Sequence, residues 1–304
     1  MLHRRKEIPV SRGEFISLGA VGWVHKINDH IALKSPRKDE CAKFAYENEI
    51  YNIFGSHPPP CPDLSQSFLR VSAGNFLALY TGGTLEERLR GHQTRRTGPG
   101  GEILIKVVRK EPASLVERWI MELSNAAEWI ESLGWCHTDI RPPNLLLDGH
   151  DHLKLTDFDS VQKIGTLAEG SAAPWARVLG PEAREECGSF GVNGARYEQF
   201  AIGSVLYLMT RGYEPYEDGN IDPEKVVDLL QQMKFPPLDE EKLDTIIERC
   251  WKGKFNTLKD LADETKLLPG ALSLPRATAL EEEYCSRIRG ECKQLVENGI
   301  LNEE

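Results

Sequence analysis

The stretch His137-Thr138-Asp139-Ile140-Arg141-Pro142-Pro143-Asn144 decides how the rest of this chain is read. Eighteen residues after Asp139 stands Asp157, within Leu155-Thr156-Asp157-Phe158-Asp159. Between the two strings, short apolar runs at 145–147 and 153–156 flank Asp148-Gly149. That pattern is a strong hairpin signal. Such a hairpin carries Asn144 and Asp157 to neighbouring strand ends. A lone Asp is ordinarily a polar turn residue; two motifs at a fixed spacing with a hairpin between them are not ordinary.

Outward from this centre, the first quarter of the chain reads as strands at 15–18, 23–27 and 31–34, the last after the turn residues Asn28-Asp29. A helix follows over 40–54, stopped by Gly55 and by the prolines from Pro58 to Pro62. Strands at 67–71 and 75–80 lead to the turn at Gly82-Gly83. Helical character then takes over. A short piece spans 86–90, the Gly- and Arg-rich segment 91–101 reads as an exposed loop, and 114–133 has an amphipathic period closed by Gly134. The run from Phe200 to Met209, apolar on every side but for Ser204, reads as a buried helix. An amphipathic helix is expected over 279–301. Its apolar positions Ile288, Cys292, Leu295 and Val296 suit packing in cis on the larger lobe or a partner in trans.

The chain has 304 residues, with 37 Lys plus Arg against 47 Asp plus Glu. The resulting charge of −10 argues against broad binding to nucleic acid or to anionic lipid. Seven Cys without a Cys-x-x-Cys pair exclude a disulfide framework or a zinc cage and fit a reducing compartment. Arg4, Arg5 and Lys6 have no apolar run behind them, so no signal peptide is expected, and no stretch reaches the ~20 apolar residues of a membrane helix. The expected location is cytoplasm or nucleus. The layout is a tail over 1–13, a small lobe over 14–79, a larger lobe over 80–265 and a helical extension over 266–304.

The central strings resemble the catalytic core of eukaryotic-type protein kinases, whose motifs read H-R-D-x-x-x-x-N and D-F-G. The resemblance covers roughly residues 14–262. It implies an α+β, bilobal protein-kinase-like fold, with a small antiparallel β-sheet lobe carrying one helix and a larger, mainly helical lobe. The implied activity is transfer of the γ-phosphoryl group of Mg-ATP to Ser or Thr hydroxyls of a protein substrate. In that reading Asp139 is the catalytic aspartate, Asn144 and Asp157 hold Mg²⁺, and Arg141 carries positive charge near the γ-phosphate where lysine is usual. Ile31-Ala32-Leu33-Lys34 resembles V-A-I-K, which makes Lys34 the phosphate-binding lysine. Glu49, followed by Ile50 and Tyr51, matches its ion-pair partner best. Glu47, about 200° round the helix, is the alternative. Ser17-Leu18-Gly19-Ala20-Val21-Gly22-Trp23-Val24 resembles the glycine-rich loop, with Gly19 and Gly22 approaching phosphate and Val24 capping the adenine. Residues 79–84 form the hinge.

Gly180-Pro181-Glu182 resembles the A-P-E that closes the activation segment, though no arginine follows Trp251 in the place where its usual partner stands. Glu198 occupies the position of an aspartate at the start of the buried central helix. Thr138 replaces the arginine that gathers a phosphorylated loop, which implies activation independent of loop phosphorylation; Thr166 and Ser171 are read as ordinary loop hydroxyls. Asp159 replaces the D-F-G glycine and is compatible with tighter metal binding, restricted motion or a solvent-facing side chain. His137 is expected to brace the catalytic loop and Cys136 to be a core thiol. His150, His152, Arg95 and Arg96 read as solvated loop residues. Two other readings stand beside the active kinase: a pseudokinase scaffold and a small-molecule kinase. No nucleic-acid partner and no membrane insertion are expected.

Overall fold

The computed structural model describes residues 13–98, 101–219, 221–239 and 241–301. The tail expected over 1–13 lies, but for Gly13, outside the described residues. The chain forms two compact units. The smaller comprises the described residues up to Tyr80, Asp157–Asp159 and the stretch from Thr278. The larger comprises Thr81–Thr156 and Ser160–Ala277.

In the smaller unit β1 (Glu14–Leu18), β2 (Gly22–Lys26) and β3 (Ile31–Pro36) precede α1 (Cys41–Gly55), and β4 (Ser67–Val71) and β5 (Gly74–Ala78) follow it. The five strands form one antiparallel sheet in the order β1-β2-β3-β5-β4. Asn28 shapes the β2–β3 turn, its Oδ1 accepting from the backbone N–H of His30 at 2.8 Å and of Ile31 at 2.9 Å. Helix α1 buries Phe44, Glu47, Ile50, Tyr51 and Phe54, a stripe at three- and four-residue steps that includes one carboxylate.

The larger unit begins with α2 (Leu85–Arg90), whose first turn is fixed by a capping box between Thr84 and Glu87. The loop expected over 91–101 is instead a hairpin of β6 (Gln93–Gly98) and β7 (Gly101–Val107). Glycine and arginine content suggested loop, but Arg95 is tied to Gln93 at 2.5 Å and to Glu217, and Ile103 and Leu104 are half-buried. Tertiary contacts override the local composition here. Next come α3 (Ala113–Ser132), β8 (Trp135–Cys136), β9 (Leu145–Leu147), β10 (Leu153–Leu155) and β11 (Gln162–Lys163). The helices α4 (Ala195–Arg211), α5 (Pro223–Gln231), α6 (Lys242–Trp251), α7 (Leu258–Thr265) and α8 (Pro269–Ser273) complete the unit. The central α4 is buried from Tyr197 to Met209 and packs on α3 and α6. A Cβ on Gly203 would stand 2.7 Å from that of Cys250, so glycine permits this close approach. The Trp251 indole N–H donates to Ser204 Oγ at 2.9 Å, satisfying two polar groups inside the core.

The last helix, α9 (Glu282–Glu297), belongs to the smaller unit. Expectation placed it on the larger lobe or on a partner; it packs on the small sheet instead. Ile288 and Cys292, one turn apart and fully buried, join Ile31, Leu33, Phe68 and Phe76 in one cluster. Polar ties hold its register. Asn28 Nδ2 donates to Glu291 at 2.6 Å and Arg289 Nε donates to the Phe68 carbonyl at 3.2 Å. Among the described residues no helix is long and apolar enough to cross a membrane.

Candidate active site

The smaller unit presents a nearly buried charge cluster. Strand β3 carries Lys34 to a point where its ammonium lies 2.8 Å and 2.7 Å from the two oxygens of Glu47 and 2.7 Å from Asp157 Oδ1. The side chains of Lys34 and Glu47 are 6% and 1% exposed and that of Asp157 22%. Glu49, the partner favoured from the sequence, is exposed. The correction follows from helix geometry. The buried positions of α1 are 44, 47, 48, 50, 51 and 54, and position 49 lies outside them. Asp157 has a left-handed backbone (φ 69°), and the Phe158 ring after it is fully buried between Tyr51 at 4.9 Å and Phe54 at 5.2 Å. That aromatic anchor holds the aspartate against Lys34.

Burial disfavours the charge on Lys34, but Glu47 and Asp157 more than offset it and raise its pKa. One ammonium cannot neutralise both carboxylates. Burial pushes Glu47 up to about 7; Lys34 opposes that rise, while the charges of Asp157 and Asp159 add to it. The cluster thus carries surplus negative charge on hard oxygen atoms, an environment that suits a divalent cation such as Mg²⁺.

Gly22 and Val24 lie on β2, Val24 opposite Lys34 across the strand pair. The Gly19 N–H donates to the Gly22 carbonyl at 2.9 Å and closes the turn between β1 and β2. A Cβ on Gly22 would stand 2.5 Å from the Ser35 carbonyl oxygen, whereas one on Gly19 would meet nothing closer than 3.6 Å. Gly22 is therefore required by strand pairing. Gly19 has no such constraint.

The larger unit gathers Asp139, Arg141 and Asn144. Asp139 Oδ2 accepts from Asn144 Nδ2 at 2.9 Å and from Arg141 Nε at 3.0 Å, and Oδ1 accepts from the Ser171 hydroxyl at 3.1 Å. Asn144 Nδ2 also donates to the Asp139 carbonyl at 2.9 Å, which turns the amide oxygen of Asn144 away from this contact. The loop before Asp139 is fixed from below. Glu198, fully buried at the start of α4, accepts the N–H of His137 at 3.0 Å and of Thr138 at 2.9 Å. Burial raises its pKa, against the pull of His137 and the two amides. His137 Nε2 lies 2.9 Å from the Thr156 carbonyl, and its Nδ1 accepts the Asp139 N–H at 3.3 Å. Thr138 has φ 66°, a costly conformation for a β-branched residue, and its hydroxyl donates to the Ser160 carbonyl at 2.5 Å. The Cys136 thiol is buried and its pKa raised, as for an inert core thiol.

Three features escaped the sequence reading. Glu182 finds its arginine five residues upstream, in Arg177 at 2.7 Å. Burial resists ionisation of Glu182, and the Arg177 hydrogen bond outweighs it, so the net pKa is lowered. His152, read as a solvated turn residue, is buried and meets Glu122; His150 is exposed as expected. Arg118 and Glu122, one turn apart on α3, are both buried. Charges on the apolar face of a helix were the signal available for that network. Among the described residues no group of three or more His, Cys, Asp or Glu forms a ready-made metal cage.

A family model described as the protein kinase domain matches residues 97–294, more than half of the chain. The stretch includes Asp139, Asn144 and Asp157 and begins after Lys34 and Glu47. Among curated proteins, the chain is 31% identical over 130 residues to a CBL-interacting serine/threonine-protein kinase 3 of Arabidopsis thaliana, covering 40% of this chain and 28% of that one. It is 28% identical over 180 residues to CBL-interacting serine/threonine-protein kinase 20 of the same plant, covering 51% and 40%. CBL-interacting protein kinase 32 of Oryza sativa subsp. japonica is 31% identical over 133 residues, covering 40% and 28%. The matches span well under half the length of these relatives.

Proposed function

Because the chain belongs to the protein kinase domain family, we propose that it transfers the γ-phosphoryl group of ATP to Ser or Thr hydroxyls of a protein substrate. One observation carries the reading: Asp139 has one carboxylate oxygen fixed by Asn144 and Arg141 and the other engaged by an alcohol. A carboxylate so held orients an acceptor hydroxyl and takes up its proton as the bond to phosphorus forms. Lys34, kept extended by Glu47, contacts phosphate oxygens, and Gly19, Gly22 and Val24 line the nucleotide. Magnesium, when bound, neutralises charge on the phosphates; Asp157 and Asn144 would hold it. Arg141 restricts Asp139 to one rotamer while adding positive charge.

A nucleotide-binding scaffold without transfer is the competing reading, favoured by Asp159, whose added charge raises the proton affinity of Glu47. Gly180-Pro181-Glu182, braced by Arg177, supports a protein rather than a small-molecule substrate. The test is label transfer from γ-labelled Mg-ATP to generic basic proteins, run with the intact chain and with Asp139→Asn. Label that appears with the first and vanishes with the second supports the kinase. Nucleotide-dependent, magnesium-dependent thermal stabilisation without any label supports the scaffold.

A further inference from the structure

The ribbon of β6 and β7 is basic in a chain whose net charge is −10. Residues 94–110 hold five Lys and Arg and one carboxylate, Glu102. One face of the ribbon is fastened to the larger unit: Arg95 reaches Glu217, and Gln93 Nε2 donates to the Gly212 carbonyl. Alternation puts Thr94 and Arg96 on the other face, with Lys106 and Ile103 across from them. A bulge between Thr94 and Arg95 leaves Ile105 without a partner across the ribbon, and it is 51% exposed. Arg96, Lys106 and Lys110 are exposed too, and among the described residues none of the three forms an ion pair. The neighbouring carboxylates are engaged elsewhere. Glu102 faces Arg90 at 4.0 Å, and Glu111 accepts from Arg88 at 2.6 Å. Among the described residues neither strand has a second strand beside it, so each keeps an outer row of backbone N–H and C=O groups.

We propose that this ribbon is a docking surface for an acidic polypeptide segment of a partner protein, which adds as a third strand. The chemistry selects that occupant. An extended segment presents its side chains at a period of two. Those on one face of the added strand lie beside Arg96 and Lys106, which select carboxylates, and beside Ile105, which selects an apolar residue. Backbone pairing along the open edge supplies affinity that depends little on sequence. Residues 93–110 contain no aromatic ring on which a nucleic-acid base could stack. An anionic bilayer is opposed by the net charge of the whole chain. None of the residues assigned to phosphoryl transfer belongs to the ribbon, so the inference holds whether or not the chain transfers phosphate.

The test measures the fluorescence anisotropy of a labelled decapeptide alternating Glu and Val, titrated with the full chain. A decapeptide alternating Lys and Val is the control. The acidic peptide is expected to bind and the control not, and a rise in salt from about 0.05 M to about 0.3 M is expected to weaken binding several-fold. Arg96→Glu combined with Lys106→Glu is expected to lower affinity at least about tenfold. Ile105→Ser is expected to lower it about threefold, with thermal midpoints within about 2 °C of the parent. Amide exchange in β6 or β7 is expected to slow when the acidic peptide saturates the chain. Equal affinity for both peptides, no binding of the acidic one, or undiminished affinity in the charge-reversed variant overturns the proposal. Should that variant unfold, Ile105→Ser and the exchange pattern decide the matter in its place. Displacement of the peptide at lower concentration by vesicles of phosphatidylserine and phosphatidylcholine, or by oligouridine RNA, assigns the surface to lipid or nucleic acid and overturns the proposal as well.

Discussion

Glu122 and His152 meet inside the larger unit, carboxylate Oε1 to imidazole Nδ1 at 2.7 Å. The second oxygen of Glu122 accepts the Leu153 N–H at 2.8 Å. Arg118, one turn before Glu122, donates to the His150 and Asp151 carbonyls at 3.0 Å and 2.7 Å. One helix face thus grips the tip of the hairpin that carries Asn144 at its base. Glu122→Ala leaves a buried arginine without its carboxylate and a buried N–H without an acceptor. It is expected to cost about 3–5 kcal/mol, read as a shift in the urea midpoint. Glu122→Gln keeps one acceptor and is expected to cost about 1–3 kcal/mol.

The two glutamates of α1 separate cleanly. Glu49→Gln, at an exposed position, is expected to change stability by less than about 0.5 kcal/mol and to leave nucleotide affinity unaltered. Glu47→Gln removes one of the two carboxylates that hold Lys34 and is expected to weaken Mg-ATP binding at least about tenfold, measured by calorimetry.

Glu47 also sets a pH dependence. Its pKa rises from an ordinary 4.5 to about 7 in the folded chain. The folded form therefore binds more protons than the unfolded one between these values. The contribution is fully present below about 4.5 and is lost as pH rises through about 7. Unfolding midpoints of the nucleotide-free protein at pH 5 and pH 8 are expected to show this fall, and Glu47→Gln to flatten it.

Gly22→Ala forces a methyl against the Ser35 carbonyl and parts β2 from β3 beside Lys34. A destabilisation of about 1–3 kcal/mol is expected, with weaker nucleotide binding. Gly19→Ala meets only ordinary contacts and is expected to stay within about 0.5 kcal/mol of the parent. Thermal unfolding of the pair distinguishes a strand-pairing role from a phosphate-approach role.

Ile288→Ala, in the cluster shared with Ile31, Leu33, Phe68 and Phe76, is expected to cost about 2–5 kcal/mol. Leu272→Ala, at a position 66% exposed, is expected to cost almost nothing. A dye that binds exposed apolar surface should report the first change and not the second.

Much of this was legible in the residues themselves. The period of α3, the Asp148-Gly149 hairpin and the all-apolar face of α4 are local signals, and each formed where periodicity put it. What escaped is non-local. Whether Glu47 or Glu49 meets Lys34 depends on which face of α1 is buried, and the mixed polar and apolar sequence of that helix does not say. The hairpin at 93–107 rests on Arg95 reaching Glu217, more than a hundred residues on. His152 looked like a turn residue because nothing near it in sequence announces Glu122. The destination of α9 depends on an apolar sheet face some two hundred residues upstream, invisible to any window along the chain.

That destination bears on how the polypeptide matures during translation. The strands of the small sheet leave the ribosome first, yet the apolar face formed by Ile31, Leu33, Phe68 and Phe76 has no cover until Ile288 and Cys292 emerge. The larger unit, complete by Ala277, is thus synthesised whole before the unit that precedes it can close. The usual vectorial order, in which the leading domain folds first, is reversed. Throughout that interval the nascent chain carries a greasy, unsealed sheet, and chaperone demand should peak there.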